Sequence, residues 1–149
     1  MRTRSVEGDV VERTLVLVKP SGVARGLIGE VIGRMERRGL AIKVARLLMV
    51  TEEMAAQHYA EHVEKSFYGE LATQITSGPV FAMVVEGPQA VRVVRTMMGA
   101  TNPLEAAPGT IRGDFGLSVL VNVVHSADSS TSAEREIQIY FPDGGELTS

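Results

Sequence analysis

Two rhythms of apolar residues alternate along the chain: short continuous runs, and positions that recur every three or four residues. The first run, Thr14-Leu15-Val16-Leu17-Val18, is rich in β-branched and apolar residues and stops at Lys19-Pro20-Ser21-Gly22, so it predicts a buried strand feeding a turn. From Leu27 to Arg38 the apolar Ile28, Val31, Ile32 and Met35 keep helical spacing, and Gly39 follows as a stop, which predicts an amphipathic helix. Residues 41–50 predict a second strand. Thr51 then caps a helix expected to reach about Val63, and a shorter helix is expected over Phe67 to Thr76. Beyond Ser77-Gly78-Pro79 the run Val80 to Val85 predicts a third strand, and Gly87-Pro88 opens a helix that ends at Gly99. Residues 100–116 form a long irregular segment of the kind that usually carries function. Leu117 to His125 predicts a fourth strand, and a Thr131-x-x-Glu134 capping box starts a last helix running to Phe141. Residues 1–11 show neither rhythm and are expected to form a flexible leader to one domain over 12–149.

The resulting order is strand–helix–strand, a helical pair, strand–helix–strand and a final helix. It predicts an α+β protein of the ferredoxin-like βαββαβ type: a four-stranded antiparallel sheet covered by helices, with the helical pair inserted between strands 2 and 3. A composition of 44% hydrophobic and 22% charged residues over 149 positions supports such a core and excludes disordered and collagen-like chains. Cysteine is absent, which removes disulfide scaffolds, thiol nucleophiles and cysteine-ligated metals. A net charge of -3 argues against a broad surface for nucleic acid, and no specific nucleic-acid partner is expected. The N-terminal residues lack an apolar signal region and no stretch is long enough to span a bilayer. A cytoplasmic protein without membrane association is therefore expected.

Three histidines limit where imidazole chemistry can sit. His58 and His62 lie four apart, a spacing that could bring two rings to one metal, but Tyr59 stands where a zinc hydrolase needs Glu. That pair reads more simply as a half-buried helix face. His125 ends an apolar run and faces the polar loop Ser126-Ala127-Asp128-Ser129-Ser130, a natural place for chemistry; a partly exposed His closing the sheet is the bland alternative. Strict alternation would put Asn122 and His125 on opposite faces, so both can serve one pocket only if the strand starts late or is interrupted between them.

No Walker A sequence, Rossmann fingerprint or kinase Gly-rich loop occurs, so any nucleotide must be held some other way. Lys19 at a strand end, Arg95 beside the stripe Val91, Val94 and Met98, and Arg112 in the long loop are candidate phosphate ligands. Each taken alone reads equally as a solvated charge.

Together, however, several segments resemble the nucleoside diphosphate kinase family over about Glu12 to Leu147. They include Lys19-Pro20-x-Gly22-Val23, Arg25-Gly26-Leu27-Ile28-Gly29-Glu30, His58-Tyr59-Ala60-Glu61-His62, Ser77-Gly78-Pro79-Val80, Gly99-Ala100-Thr101-Asn102-Pro103, Pro108-Gly109-Thr110-Ile111-Arg112-Gly113-Asp114-Phe115, Asn122-Val123-Val124-His125 and Ser132-Ala133-Glu134-Arg135-Glu136-Ile137. The Arg112-Gly113-Asp114-Phe115 motif, followed at the family's spacing by Asn-x-x-His, is the most specific of these.

The resemblance implies a phosphotransferase that moves the γ-phosphate of a nucleoside triphosphate, mainly ATP, to a nucleoside diphosphate by a ping-pong route through a phosphohistidine at His125. Mg2+ would be the cofactor, held mainly by the nucleotide phosphates, with no direct protein ligand. By the same resemblance Glu136 holds the far ring nitrogen of His125, and Tyr59 lies beside the phosphates. Lys19, Arg95, Arg112 and Thr101 bind the phosphates, Lys19 and Asn122 reach the sugar hydroxyls, and Phe67 and Val119 sandwich the base. A homo-oligomer is implied too, a hexamer first and a tetramer as the alternative.

Some residues depart from the family pattern. Ser21 replaces the usual Asp, Leu120 and Val121 replace Gly and a basic residue, and Ser126-Ala127 reverses the small-residue and serine order after the histidine. The family's serine supports the glutamate, so Ala127 is expected to loosen Glu136 and slow phosphorylation, while Leu120 and Val121 alter the pocket floor. The chain also stops soon after Leu147, short of the tail that many relatives use in subunit contacts. The alternative reading is a catalytically weakened nucleotide-binding or regulatory protein on the same scaffold.

Overall fold

The computed structural model of the chain describes residues 3–4 and 10–146, and most of the expected leader lies outside the described residues. A two-residue strand β1 (Thr3–Arg4) pairs antiparallel with the beginning of β2 (Val10–Val18), so the sheet begins earlier than the apolar pattern predicts. β3 (Ala41–Met49) and β4 (Pro79–Pro88) follow, and β5 (Val124–Ser126) closes the set. β2 runs antiparallel to β4 on one side and to β5 on the other, and β3 pairs antiparallel with the far edge of β4. The order β3-β4-β2-β5 is that of a ferredoxin-like α+β sheet, as expected.

The helices are α1 (Pro20–Ala24), α2 (Ile28–Arg37), α3 (Glu52–His58), α4 (Tyr68–Thr76), α5 (Ala90–Met98), α6 (Ile111–Phe115) and α7 (Ser130–Tyr140). They cover both faces of the two central strands. Val16, Val18, Met83 and Val85 meet α2 and α5 through Val31, Met35, Val94 and Met98. On the other face Leu15, Leu17, Ala82 and Val84 meet Ala55 of α3, Ile75 of α4 and Ile137 and Tyr140 of α7. This explains why Leu15 to Val18 and Val80 to Val85 read as unbroken apolar runs: a strand buried on both faces has no polar side to alternate with. Each Leu or Ile buried in this way is worth about 1.5–3 kcal/mol of transfer free energy.

Several boundaries differ from the sequence expectation, each for a local reason. Lys19-Pro20-Ser21-Gly22 is not a simple turn, because Pro20 at the first helical position starts α1 and Val23 N–H donates to Lys19 O at 2.9 Å. Gly87 and Pro88 belong to β4; α5 starts at Ala90 after Gln89, which sits in left-handed backbone at φ 50°. The cap of α7 is Ser129, whose side chain accepts from Ser132 N–H at 3.0 Å. The Thr131–Glu134 capping box does not form, and Glu134 instead pairs with Arg13 across the sheet at 2.8 Å. Thr51 does cap α3, but that helix ends at His58, and His62 falls in a separate 3-10 turn (Ala60–His62). The long segment 100–116 contains a 3-10 turn (Pro103–Glu105) and α6, which Thr110 caps through Gly113 N–H at 3.0 Å.

The largest correction concerns Leu117 to His125. Only Val124–Ser126 is strand, because the preceding residues leave the sheet to form a loop and one wall of the cavity described next.

Candidate active site

Lys19 directly follows the central strand β2, and its backbone N–H donates to Val123 O at 2.9 Å, which ties the 117–123 loop to the start of α1. Gly22 makes this approach feasible, since a Cβ there would lie 2.8 Å from Val123 O and 2.7 Å from Val18. Val123 itself has φ 65°, and Val124 N–H donates back to Asn122 O at 2.8 Å, a γ-turn with a positive-φ centre. A β-branched residue in this region costs about 1–3 kcal/mol of strain. The turn breaks strand alternation, so that Asn122 before it and His125 after it line the same cavity.

That cavity, of about 330 Å³, is bordered by His125, Glu136, Lys19, Tyr59, Phe67, Arg95, Thr101, Arg112, Val119 and Asn122. The structure therefore brings every site residue expected from the sequence to one place. His125 on β5 points Nε2 at Glu136 Oε1 of α7, 2.7 Å away, and Glu136 is buried. Lys19 Nζ donates to Asn122 Oδ1 at 2.8 Å, and Asn122 Nδ2 donates to Thr101 O at 3.1 Å. Arg112 is buried at the start of α6; its Nη1 donates to Gly99 O and its Nη2 to Val124 O, both at 3.0 Å, while its buried Nε has no partner among the described residues. Arg95 projects from the last turn of α5 with its side chain exposed. Phe67 (44% exposed) and Val119 (47%) stand at the mouth, where their apolar faces stay open to solvent.

Electrostatics in the cavity favour anions. Burial and the neighbouring Arg112 lower Lys19 to about 8. Burial, and next the Arg95 charge, lower Arg112 to about 10. Burial followed by Lys19, Arg112 and Arg95 pulls His125 down from 6.5 to about 3, with Asp128 opposing, so the imidazole is neutral at ordinary pH. Burial raises Glu136 above the usual carboxylate value, and burial lifts Tyr59 to about 12.

His58, Glu61, His62, Asp128, Ser132 and Arg135 also line the cavity and were not among the expected site residues. His58 and His62 do not act as a pair. His58 is buried with its ring centroid 4.4 Å from that of His125, whereas His62 lies against Phe67, centroids 5.4 Å apart. Their i, i+4 spacing hid this, because the helix ends between them. Ligand atoms of His58, His125 and Glu136 lie within 4.8 Å of one another, a donor set that suits zinc. However, His125 and Glu136 already satisfy each other, and Lys19, Arg95 and Arg112 face the same space, which disfavours a bare cation.

Among the departures, Ala127 is fully buried against Val91 and Ala133, so its methyl fills an apolar contact between α5 and α7. Ser126 does not take up a bond to Glu136; the second carboxylate oxygen, Oε2, has Arg135 Nη2 at 3.7 Å. Leu120 lines a small adjoining cavity with Lys19, Tyr59 and Val119.

The family model described as Nucleoside diphosphate kinase matches residues 12–145. The nucleoside diphosphate kinase of Archaeoglobus fulgidus is 65% identical over 133 residues, covering 89% of this chain and 88% of its own. That of Halalkalibacterium halodurans is 56% identical over 137 residues, covering 92% of each. Among solved structures, a halophilic nucleoside diphosphate kinase from Halobacterium salinarum in complex with CDP matches with a TM-score of 0.89 at 48% identity, over 93% of this chain and 92% of the other.

Proposed function

The chain belongs to the nucleoside diphosphate kinase family and is a phosphotransferase acting on nucleotides, and from that premise we propose how its own residues carry the reaction. The observation that supports the reading best is the contact between His125 and Glu136 in a cavity lined by Lys19, Arg95 and Arg112. With Nε2 engaged by the carboxylate, the lone pair of Nδ1 is the one free to attack. An N–P bond forms as the bond from the γ-phosphorus to the bridging oxygen breaks, and the nucleoside diphosphate leaves. In the second half a terminal oxygen of the incoming diphosphate attacks the same phosphorus and the N–P bond breaks.

The cations hold the phosphates and offset charge on the equatorial oxygens. The Nε of Arg112, without a partner among the described residues, supports this reading as a donor still free for one of them. Lys19 and Asn122, already bonded to each other, present a donor pair to the ribose hydroxyls, and Thr101 hydrogen-bonds a phosphate. Phe67 and Val119 clamp the base by its faces, which accepts any base. Tyr59 lies beside the phosphates. The alternative of a weakened binding protein is not favoured, given the named activity of close relatives and the full set of cations at the site.

Mg2+ fits this cavity only as a passenger on the nucleotide. Of the carboxylates lining it, Glu61, Asp128 and Glu136, the last is engaged by His125, and the surrounding side chains are cationic. Bound to the phosphate oxygens, Mg2+ would neutralise charge on the transferring group. We also propose a homo-oligomer, most simply a hexamer. Leu47 (58% exposed) and Met49 (55%) lie on the edge strand β3, Leu104 (79%) on the 3-10 turn Pro103–Glu105 and Leu117 (76%) on a loop, more open apolar surface than a lone chain needs. No helix among the described residues is long and apolar enough to cross a membrane.

Incubation with γ-labelled ATP and Mg2+ tests the route. An acid-labile, alkali-stable phosphoprotein is expected, absent in His125→Ala. Equal labelling of that variant overturns it.

A further inference from the structure

His58 has no part in the route above, yet it is among the most constrained side chains in the molecule. It is the last residue of α3 and 5% exposed. Its Nδ1 lies 3.0 Å from the hydroxyl of Tyr140, which is fully buried, and the two groups share one hydrogen. Tyr140 stands four residues beyond Glu136 on α7, so one face of a single helix presents a carboxylate to His125 and a hydroxyl to His58. The end of α3 has a second anchor: Arg135, on the same helix, donates from Nη1 to the carbonyl of Gln57 at 2.8 Å. The two imidazoles meet edge to face, centroids 4.4 Å apart with 62° between planes.

An imidazole held at one nitrogen by a single hydrogen bond can still swing about its side-chain torsion, and in-line attack does not tolerate that motion. Glu136 restrains His125 at Nε2 but not the tilt of the ring plane. The ring of His58 packs edge to face against the His125 ring, and is itself held by the Tyr140 hydroxyl and by the anchored end of α3.

We propose that His58, braced by Tyr140, is a positioning residue that sets the plane of the His125 imidazole for attack on phosphorus. This rests on the reading of His125 as the phosphorylated residue. Burial first, and next the neighbouring His125, lower His58 well below 6.5, with Glu136 opposing, so it stays neutral and adds no charge to the nucleophile's surroundings. Its role is geometric.

Single-turnover phosphorylation by ATP and Mg2+, together with ADP affinity, tests this on Tyr140→Phe, His58→Leu and His58→Gln. Tyr140→Phe removes only the brace and should slow phosphorylation by about 2- to 10-fold, the range of one hydrogen bond. His58→Leu should slow it by roughly 10- to 100-fold, as expected for a misplaced reacting group, and His58→Gln, whose amide can still meet Tyr140, should recover part of the loss. ADP affinity should stay within about twofold in all three, since none of these side chains is needed to hold phosphate. Wild-type phosphorylation rates in folded His58→Leu and Tyr140→Phe, with label still on His125, overturn the inference alone. So does a loss of ADP affinity that matches the loss of rate. If His58→Leu does not fold, Tyr140→Phe decides by the same criteria. Label that persists in His125→Ala instead sinks the phosphohistidine reading itself.

Discussion

Nε2 of His125 lies 2.7 Å from Oε1 of Glu136, and the two residues are only eleven positions apart, on β5 and on the helix that follows it. The contact fixes which ring nitrogen keeps its hydrogen. Glu136→Ala should therefore slow phosphoenzyme formation by about 10- to 100-fold, with nucleotide affinity nearly unchanged. Rapid-quench labelling with γ-labelled ATP measures it, and an unchanged rate would show the carboxylate to be a bystander.

The low value of His125, about 3, has a kinetic signature. An imidazole with the ordinary value of 6.5 would lose roughly thirty-fold of its neutral form at pH 5. His125 should lose almost none, so the phosphorylation rate should stay flat on its account from about pH 8 down to about pH 5. A fall with a midpoint near 6.5 would contradict the buried, cation-lined setting.

Stability should show the opposite sensitivity. His58 and His125 have folded values below 6.5, so the unfolded chain binds more protons as pH falls below that point, and folding weakens. The loss is at most about 1.4 kcal/mol per pH unit for each histidine. Glu136, raised by burial, acts with the opposite sign: its contribution is present at low pH and fades as pH rises through its folded value. Urea midpoints at pH 7, 6 and 5 should fall in that order.

Lys19 carries its charge with a value lowered to about 8. ADP affinity should weaken as pH rises past 8 and should rest on a higher midpoint once phosphate is bound, because the bound anion favours the ammonium. Calorimetric titration from pH 6.5 to 9.5 gives the trend, and Lys19→Met should bind more weakly and lose the dependence.

Arg112 holds Gly99 O and Val124 O from one buried guanidinium, joining the long loop to β5. Arg112→Lys cannot make both bonds, so it should cost about 2–4 kcal/mol of stability as well as ADP affinity. Thermal shift with and without ADP separates the two losses.

The exposed apolar residues of β3 give the last expectation. If the proposed homo-oligomer forms through this edge, Leu47→Lys with Met49→Lys should break it into smaller species, and light scattering reads the change in mass. A mass identical to that of the parent chain would place the subunit contact elsewhere.

The sequence by itself determined the elements whose periodicity is local: the core of β2, helix α2 with its Gly39 stop, the Thr51 cap and the edges of α4. It also carried the candidate site residues, through motif spacing and not through any contact visible in the pattern. Tertiary structure decided what depends on residues distant in sequence. Leu117 to Val123 has strand-like composition, yet the bond from Lys19 N–H to Val123 O and the γ-turn at Val123 pull it off the sheet. Ser129, not Thr131, caps α7, and Glu134 pairs with Arg13, 121 residues away. His58 carried the least legible signal of all: only the packing of α7 against α3 sets its ring beside His125, and its spacing of four from His62 reads from the sequence as no more than a half-buried helix face. Local pattern reports the free energy of forming one turn or one strand, whereas a site is assembled by contacts between elements, whose energies no single stretch of chain contains.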